Sequence, residues 1–172
     1  VGVVAANVLA IVIMAPFMAL ALWLFCLTEP NWPRLISPLA CLALFPLTMV
    51  LVVVHELIHG LTWGIASKDH FKSIAFGVVW SALTPYCTCS APLKRWQYML
   101  GSLMPTLVLG TGLLAAACIF DSLFWFALAE FLILGGGGDF LIFFKMLFYR
   151  VKGKETLYYD HPYECGVVVF EK

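Results

Sequence analysis

Four stretches of this chain are apolar over a length that crosses a bilayer, and this limits the available folds more than any other feature. A spanning helix needs about 20 apolar residues. Gly2 to Leu27 carries no charge and has Asn7 as its one strongly polar side chain. Leu35 to Ser67 carries one acidic residue, Glu56, between His55 and His59. Trp96 to Phe120 carries none, and Ser122 to Phe144 carries Glu130 and Asp139. The expected fold is an all-α integral membrane protein of about four transmembrane helices. Overall, 12% of the residues are charged, against about 25% in a soluble domain. A water-soluble enzyme, a disordered chain and a nucleic-acid binder, which needs a basic surface, are all excluded. The partners expected are the lipid bilayer and a membrane-associated protein or peptide.

The connections differ in kind. Thr28 to Arg34 is a short Pro-punctuated loop carrying Trp32, an interfacial residue type. Asp121 and Ser122 leave room only for a tight turn between the third and fourth helices. Lys68 to Arg95 has no helical pattern; Ser73 to Trp80 and Pro85 to Cys89 are rich in β-branched and aromatic residues, so a β-hairpin is expected there. Residues 1–150 therefore read as a membrane-embedded domain and 151–172 as a polar tail with a strand-like end at Gly166 to Phe170. The chain begins at Val1, so an initiator Met and a leading segment are expected ahead of it. The six cysteines do not form a secreted disulfide pattern and read as small buried residues.

The basic residues set the orientation. Lys68, Lys72, Lys94 and Arg95 lie between helices two and three, and Lys145, Arg150, Lys152, Lys154 and Lys172 lie at or beyond the end of helix four. With four spans these share one side, and Arg34 stands alone opposite. The positive-inside rule makes the basic side cytoplasmic, giving an N-in, C-in protein with a cytoplasmic hairpin.

His55-Glu56-Leu57-Ile58-His59 is an H-E-x-x-H sequence inside the second apolar run. On a helix, residues i and i+4 share a face, so both imidazoles can bind one metal ion while the glutamate acts as general base. Ionisable groups at membrane depth cost about 2.5–3.5 kcal/mol each on insertion scales and are functional by default. Two imidazoles leave a catalytic zinc site one ligand short. His59 lies nine residues before Lys68, about 14 Å along a helix. Asp139 lies eleven before Arg150, about 16 Å from the same side. These depths agree and make Asp139 the expected third ligand. Gly135 to Gly138 precede it in mid-helix, where close approach of helix four to helix two would carry Asp139 to the imidazoles.

Other candidates are weaker. Glu130 lies about 13 Å from Asp139 along the axis and is expected to be a buried hydrogen-bonded carboxylate. Cys87 and Cys89 form a C-x-C, which reads as free cysteines rather than ligands. His70 and His161 are expected at the interface, and Asn7 as an interhelical hydrogen-bonding group.

A buried H-E-x-x-H with an aspartate from a later helix resembles the site-2 protease class of intramembrane metalloproteases. More closely, His55 to Gly60, Pro92 to Tyr98 leading to Met104-Pro105, and Gly137-Gly138-Asp139 resemble a small bacterial family of zincin membrane peptidases. The resemblance runs from about Leu47 to Arg150 and implies that His55, His59 and Asp139 hold Zn2+ with Glu56 as general base. It also implies a bacterial cytoplasmic membrane protein. The activity expected is a zinc metallopeptidase acting on membrane-associated substrates. The alternative is a degenerate protease-like scaffold, or a membrane protein that binds metal without catalysis. Glu56 favours the enzyme, because a carboxylate that binds no metal serves only the chemistry. The nearly bare first and third helices argue against a transport path.

Overall fold

The computed structural model describes residues 3–28, 37–80, 84–150, 156–160 and 166–171. Trp32, Arg34, Lys152, Lys154, His161 and Lys172 lie outside the described residues. In order come α1 (Val3–Thr28), α2 (Pro38–Ala66), β1 (Ile74–Val79), β2 (Thr84–Cys89) and α3 (Arg95–Pro105). A π-helical turn (Thr106–Gly110) follows, then α4 (Thr111–Ile119), α5 (Leu123–Gly135), α6 (Gly137–Phe148), β3 (Thr156–Asp160) and β4 (Val167–Glu171).

Three helical stretches are long and apolar enough to cross a membrane: Asn7–Thr28, Pro38–Ala66 and Arg95–Ile119. A fourth is the pair α5 and α6, bent by 42° at its junction. The fourth stretch is thus a broken helix, with its break inside the mid-helix glycine run Gly135 to Gly138. Gly135 ends α5, Gly136 stands between with φ −71° and ψ 1°, and Gly137 opens α6. Consecutive glycines lose helix propensity and have no side chain to hold the axis straight, so the helix gives way there. Asp139 consequently sits in the first turn of α6, where unpaired backbone N–H groups favour a carboxylate.

The chain forms two compact units, with the boundary falling inside α2 and α6. The first comprises Val1–Val52 and Thr106–Leu141. Here α1 runs antiparallel to α5, with Phe25 stacked on Phe126 at 4.6 Å near one end and Gly137 against Ala10 and Met14 near the other. A turn at Asp121 joins α4 to α5, closed by the Ser122 N–H donating to Ala117 O at 3.0 Å. Asp121 takes φ 46°, a left-handed value that aspartate tolerates better than most residues. Buried small residues, Ala21, Ala117 and Ala129, let these helices approach closely. Leu39, Leu42 and Phe45 of α2, by contrast, are more than two-thirds exposed.

The second unit comprises Val53–Pro105 and Ile142–Lys172. β1 and β2 pair antiparallel, Ile74 opposite Cys89 and Val79 opposite Thr84, so the expected hairpin is present. α2 offers two glycines, one to Phe76 of β1 and one to Phe71 of the 3-10 turn (His70–Ser73) that leads into it. A Cβ on Gly60 would meet the Phe76 ring at 2.4 Å, and one on Gly64 the Phe71 ring at 2.5 Å. The expected strand-like end of the tail is β4, and it pairs with β3, which the sequence reading left unassigned. The β3–β4 hairpin docks through two backbone bonds between Leu93 and Tyr158, at 2.8 and 2.9 Å. Trp63, Cys87, Cys89, Leu93, Tyr98, Met146 and Tyr158 form the core here. The Arg95 guanidinium donates to the carbonyls of Met146, Leu147 and Tyr149 and so caps the end of α6. Gln97 accepts from the Lys94 N–H, half of a capping box at the start of α3, and donates to Ala66 O at the end of α2.

Candidate metal centre

His55 and His59 lie one turn apart on α2 and are almost fully buried, 7% and 3% exposed. Their ring centroids are 4.9 Å apart. That is the consequence of i, i+4 spacing on a regular helix, and it brings two neutral-capable nitrogen donors to one point. Burying two imidazoles is costly unless a metal or polar partners satisfy their nitrogens.

The surroundings of His59 are specific. Its Nδ1 donates to the carbonyl of Gly101 at 2.9 Å. A carbonyl oxygen only accepts, so Nδ1 carries the proton and Nε2 carries the lone pair that binds a metal. Gly101 O is available because residue i+4 is Pro105, which has no N–H to donate back along α3. The π-helical turn follows directly after that proline. Trp63 stacks on His59 with centroids 4.9 Å apart and planes 15° apart. Its indole N–H donates to Tyr98 O at 3.2 Å. Gly101 is glycine by necessity, for a Cβ there would lie 1.9 Å from Trp63 Nε1.

The metal-binding atoms of His55, His59 and Asp139 all lie within 4.8 Å of one another. Among the described residues this is the one group of three or more His, Cys, Asp or Glu side chains that could hold a metal ion. The donor set is two imidazole nitrogens and a carboxylate oxygen. This matches the chemistry of catalytic zinc, which takes three protein ligands from nitrogen and oxygen donors and keeps one position open.

Glu56 follows His55 on α2 and is half-buried. Its charge is felt by Cys87 on β2. Burial, with the carboxylates of Glu56 and Asp160 and the neighbouring Cys89 adding to it, pushes the Cys87 thiol up to about 12. A neutral thiol is a poor zinc ligand. Cys89 is also raised by burial and holds weak contacts to Ser73 Oγ at 3.8 Å and Ala91 O at 3.7 Å. Both cysteines are free and buried, as their spacing suggested.

Glu130 corrects an expectation. Its Oε1 is buried and has no hydrogen-bond partner. α5 packs against α4, α1 and the π-helical turn. Across Thr111–Ile119, α4 carries Thr111 and Cys118 as its only side-chain donors, and the Thr111 hydroxyl donates to Leu107 O in its own chain segment. His70 is exposed on a 3-10 turn, and its carbonyl accepts from the Ser67 and Ser73 hydroxyls. Asn7 is exposed on α1.

The glycines around Asp139 divide. Gly136 faces the Thr106 hydroxyl, where a Cβ would sit 1.9 Å from Oγ1, and Gly137 faces α1. Gly135 and Gly138 have nothing within 4 Å of a Cβ position. The two middle glycines thus lie against Thr106 and α1, whereas the run was expected to approach α2. The motifs in the sequence give Trp63, Tyr98 and Gly101 no role in the site. The signals available were the spacing of Trp63 four residues after His59 and the Gly101–Pro105 pair.

No curated protein and no solved structure matches this chain. The model of one protein family matches residues 48–152, more than half of the chain and the stretch that contains His55, Glu56, His59 and Asp139. The chain belongs to that family, which is described as "Putative zincin peptidase".

Proposed function

We propose that this protein is a zinc-dependent metallopeptidase that acts within or beside the membrane, with His55, His59 and Asp139 holding Zn2+ and Glu56 as general base. The observation that carries this reading is the convergence of the H-E-x-x-H imidazoles and the Asp139 carboxylate within 4.8 Å. A zinc ion held there supplies a lowered pKa for a bound water and polarisation of the scissile carbonyl. Glu56 takes the proton from the attacking water and passes it to the leaving amine. The Gly101 carbonyl and Trp63 keep the His59 ring in the tautomer and plane that this role needs.

The substrate proposed is an extended segment of a membrane-associated protein or peptide, since a helix hides its own amides. β1 supports this choice. Among the described residues its sheet has two strands, so β1 has β2 as its partner on one side only, and an extended peptide can pair along an exposed edge. In this reading the protein lies in a bacterial cytoplasmic membrane, and the distribution of basic residues supports a cytoplasmic hairpin and C-terminal tail. Likeness to site-2 proteases belongs to this reading.

Glu56→Gln tests it. The variant is expected to keep zinc and lose peptidase activity by about 10²–10⁴-fold. A Glu56→Gln protein that cleaves as fast as the unsubstituted chain contradicts the assignment.

A further inference from the structure

The C-terminal hairpin reaches the metal motif through a stack of three rings. His59 lies on Trp63, and Trp63 lies on Tyr98, with centroids 5.1 Å apart and planes tilted by 32°. Trp63 and Tyr98 are 4% and 1% exposed, so neither ring has room to turn independently. One end of the stack is fixed by the bond from His59 Nδ1 to Gly101 O. The other end is fixed by Asp160 on β3, whose Oδ1 accepts the Tyr98 hydroxyl. The second oxygen of the same carboxylate accepts the Cys89 N–H at 2.7 Å. Asp160 is itself held in register, because Tyr158, two residues earlier, is bonded twice to Leu93. Both bonds to the carboxylate are charge-assisted and therefore stronger than neutral ones. An amide at this position offers one acceptor oxygen for two donors.

We propose that Asp160 is a positioning residue for the metal motif. It holds Tyr98, Tyr98 holds Trp63, and Trp63 holds the His59 imidazole flat with Nδ1 on the Gly101 carbonyl and Nε2 as its ligand atom. The role builds on the reading of His59 as a zinc ligand, but the ring geometry it explains exists without metal. It gives the C-terminal hairpin a function in the site from which it is most distant in sequence.

The test uses the full chain in nanodiscs with 15N-labelled histidine, compared as unsubstituted protein, Asp160→Asn, Tyr98→Phe and Tyr149→Phe. The His59 signal is assigned by its loss in His59→Gln. In the zinc-free unsubstituted protein, nitrogen shifts should show His59 as one tautomer protonated on Nδ1. Asp160→Asn and Tyr98→Phe should give mixed or exchange-broadened tautomers and weaken Zn2+ binding by about tenfold, the lower end of effects from groups behind a metal ligand. Tyr149→Phe removes a bond to Glu171 in the same hairpin and should change neither reading. If Asp160→Asn does not fold, Tyr98→Phe decides, since it keeps the ring and removes one hydroxyl. A single Nδ1-protonated tautomer with undiminished zinc affinity in Tyr98→Phe overturns the proposal, whatever happens to the melting temperature. Should the unsubstituted chain bind no zinc, the metallopeptidase reading fails and the tautomer comparison alone decides the positioning role.

Discussion

Replacing Gly101 by alanine puts one methyl group where α3 passes Trp63. The new Cβ would lie 1.9 Å from Trp63 Nε1, 2.2 Å from Cδ1 and 2.7 Å from Cε2. The indole cannot swing away, because it is buried, bonded to Tyr98 O and stacked on His59. Relief to van der Waals distance therefore requires about 1.5 Å of separation between the helices. The His59–Gly101 bond, now 2.9 Å, does not survive such a shift. Overpacking costs about 1–3 kcal/mol, and the loss of a buried hydrogen bond adds about 1–3 kcal/mol. We expect a fall in melting temperature of roughly 4–24 °C and a loss of zinc affinity of about 10–100-fold. Thermal scans in detergent and competition with a chromogenic chelator read both. Gly112→Ala is the control, since nothing lies within 4 Å of a Cβ there. A Gly101→Ala protein that melts and binds zinc like Gly112→Ala would refute the argument that this glycine sets the approach of α3 to His59.

Other expectations follow from the same geometry. Gly136→Ala should destabilise by about 1–3 kcal/mol, because its Cβ would strike the buried Thr106 hydroxyl, whereas Gly138→Ala should be neutral or slightly stabilising in the first turn of α6; equal melting temperatures would contradict this. The raised thiol of Cys87 makes folding stability pH-dependent. The stability is fully present below the unfolded value of 9.0 and is lost as the pH rises toward the folded value of about 12. Cys87→Ala should therefore show a shallower fall in melting temperature than the unsubstituted chain above about pH 9, and parallel curves would refute it. Reporter fusions after Lys72 and Lys154 should report cytoplasm and one at Asn31 the outside; an external signal at either lysine overturns the topology.

Much of the fold was legible because it rests on local signals. Apolar length marked the long helices, and β-branched and aromatic runs marked β1, β2 and β4. The short turn at Asp121 followed from the two residues available to it. What was not legible depends on long-range packing. β3, at Thr156–Asp160, is five residues long and becomes a strand by pairing with β4 and docking on Leu93. The glycine run read as a tight interface, but its orientation after the 42° bend exposes Gly135 and Gly138 and buries only Gly136 and Gly137. H-E-x-x-H and its helical face were evident from spacing. The partners of His59 were not, since Gly101 opposes Trp63 only once α3 packs against α2. The consequence of Pro105 for the Gly101 carbonyl could have been read in advance, as a proline four residues on always frees the carbonyl before it.

His55, His59 and Asp139 are proposed to hold one zinc ion. Metal analysis of the full chain, purified in detergent under zinc-replete conditions without chelator, measures this before any substrate is known. One zinc per chain is expected in the unsubstituted protein and in Glu56→Gln, with its loss from His55→Ala, His59→Ala and Asp139→Ala. A folded, unsubstituted chain without stoichiometric zinc, or an Asp139→Ala chain that keeps it in full, would contradict the account.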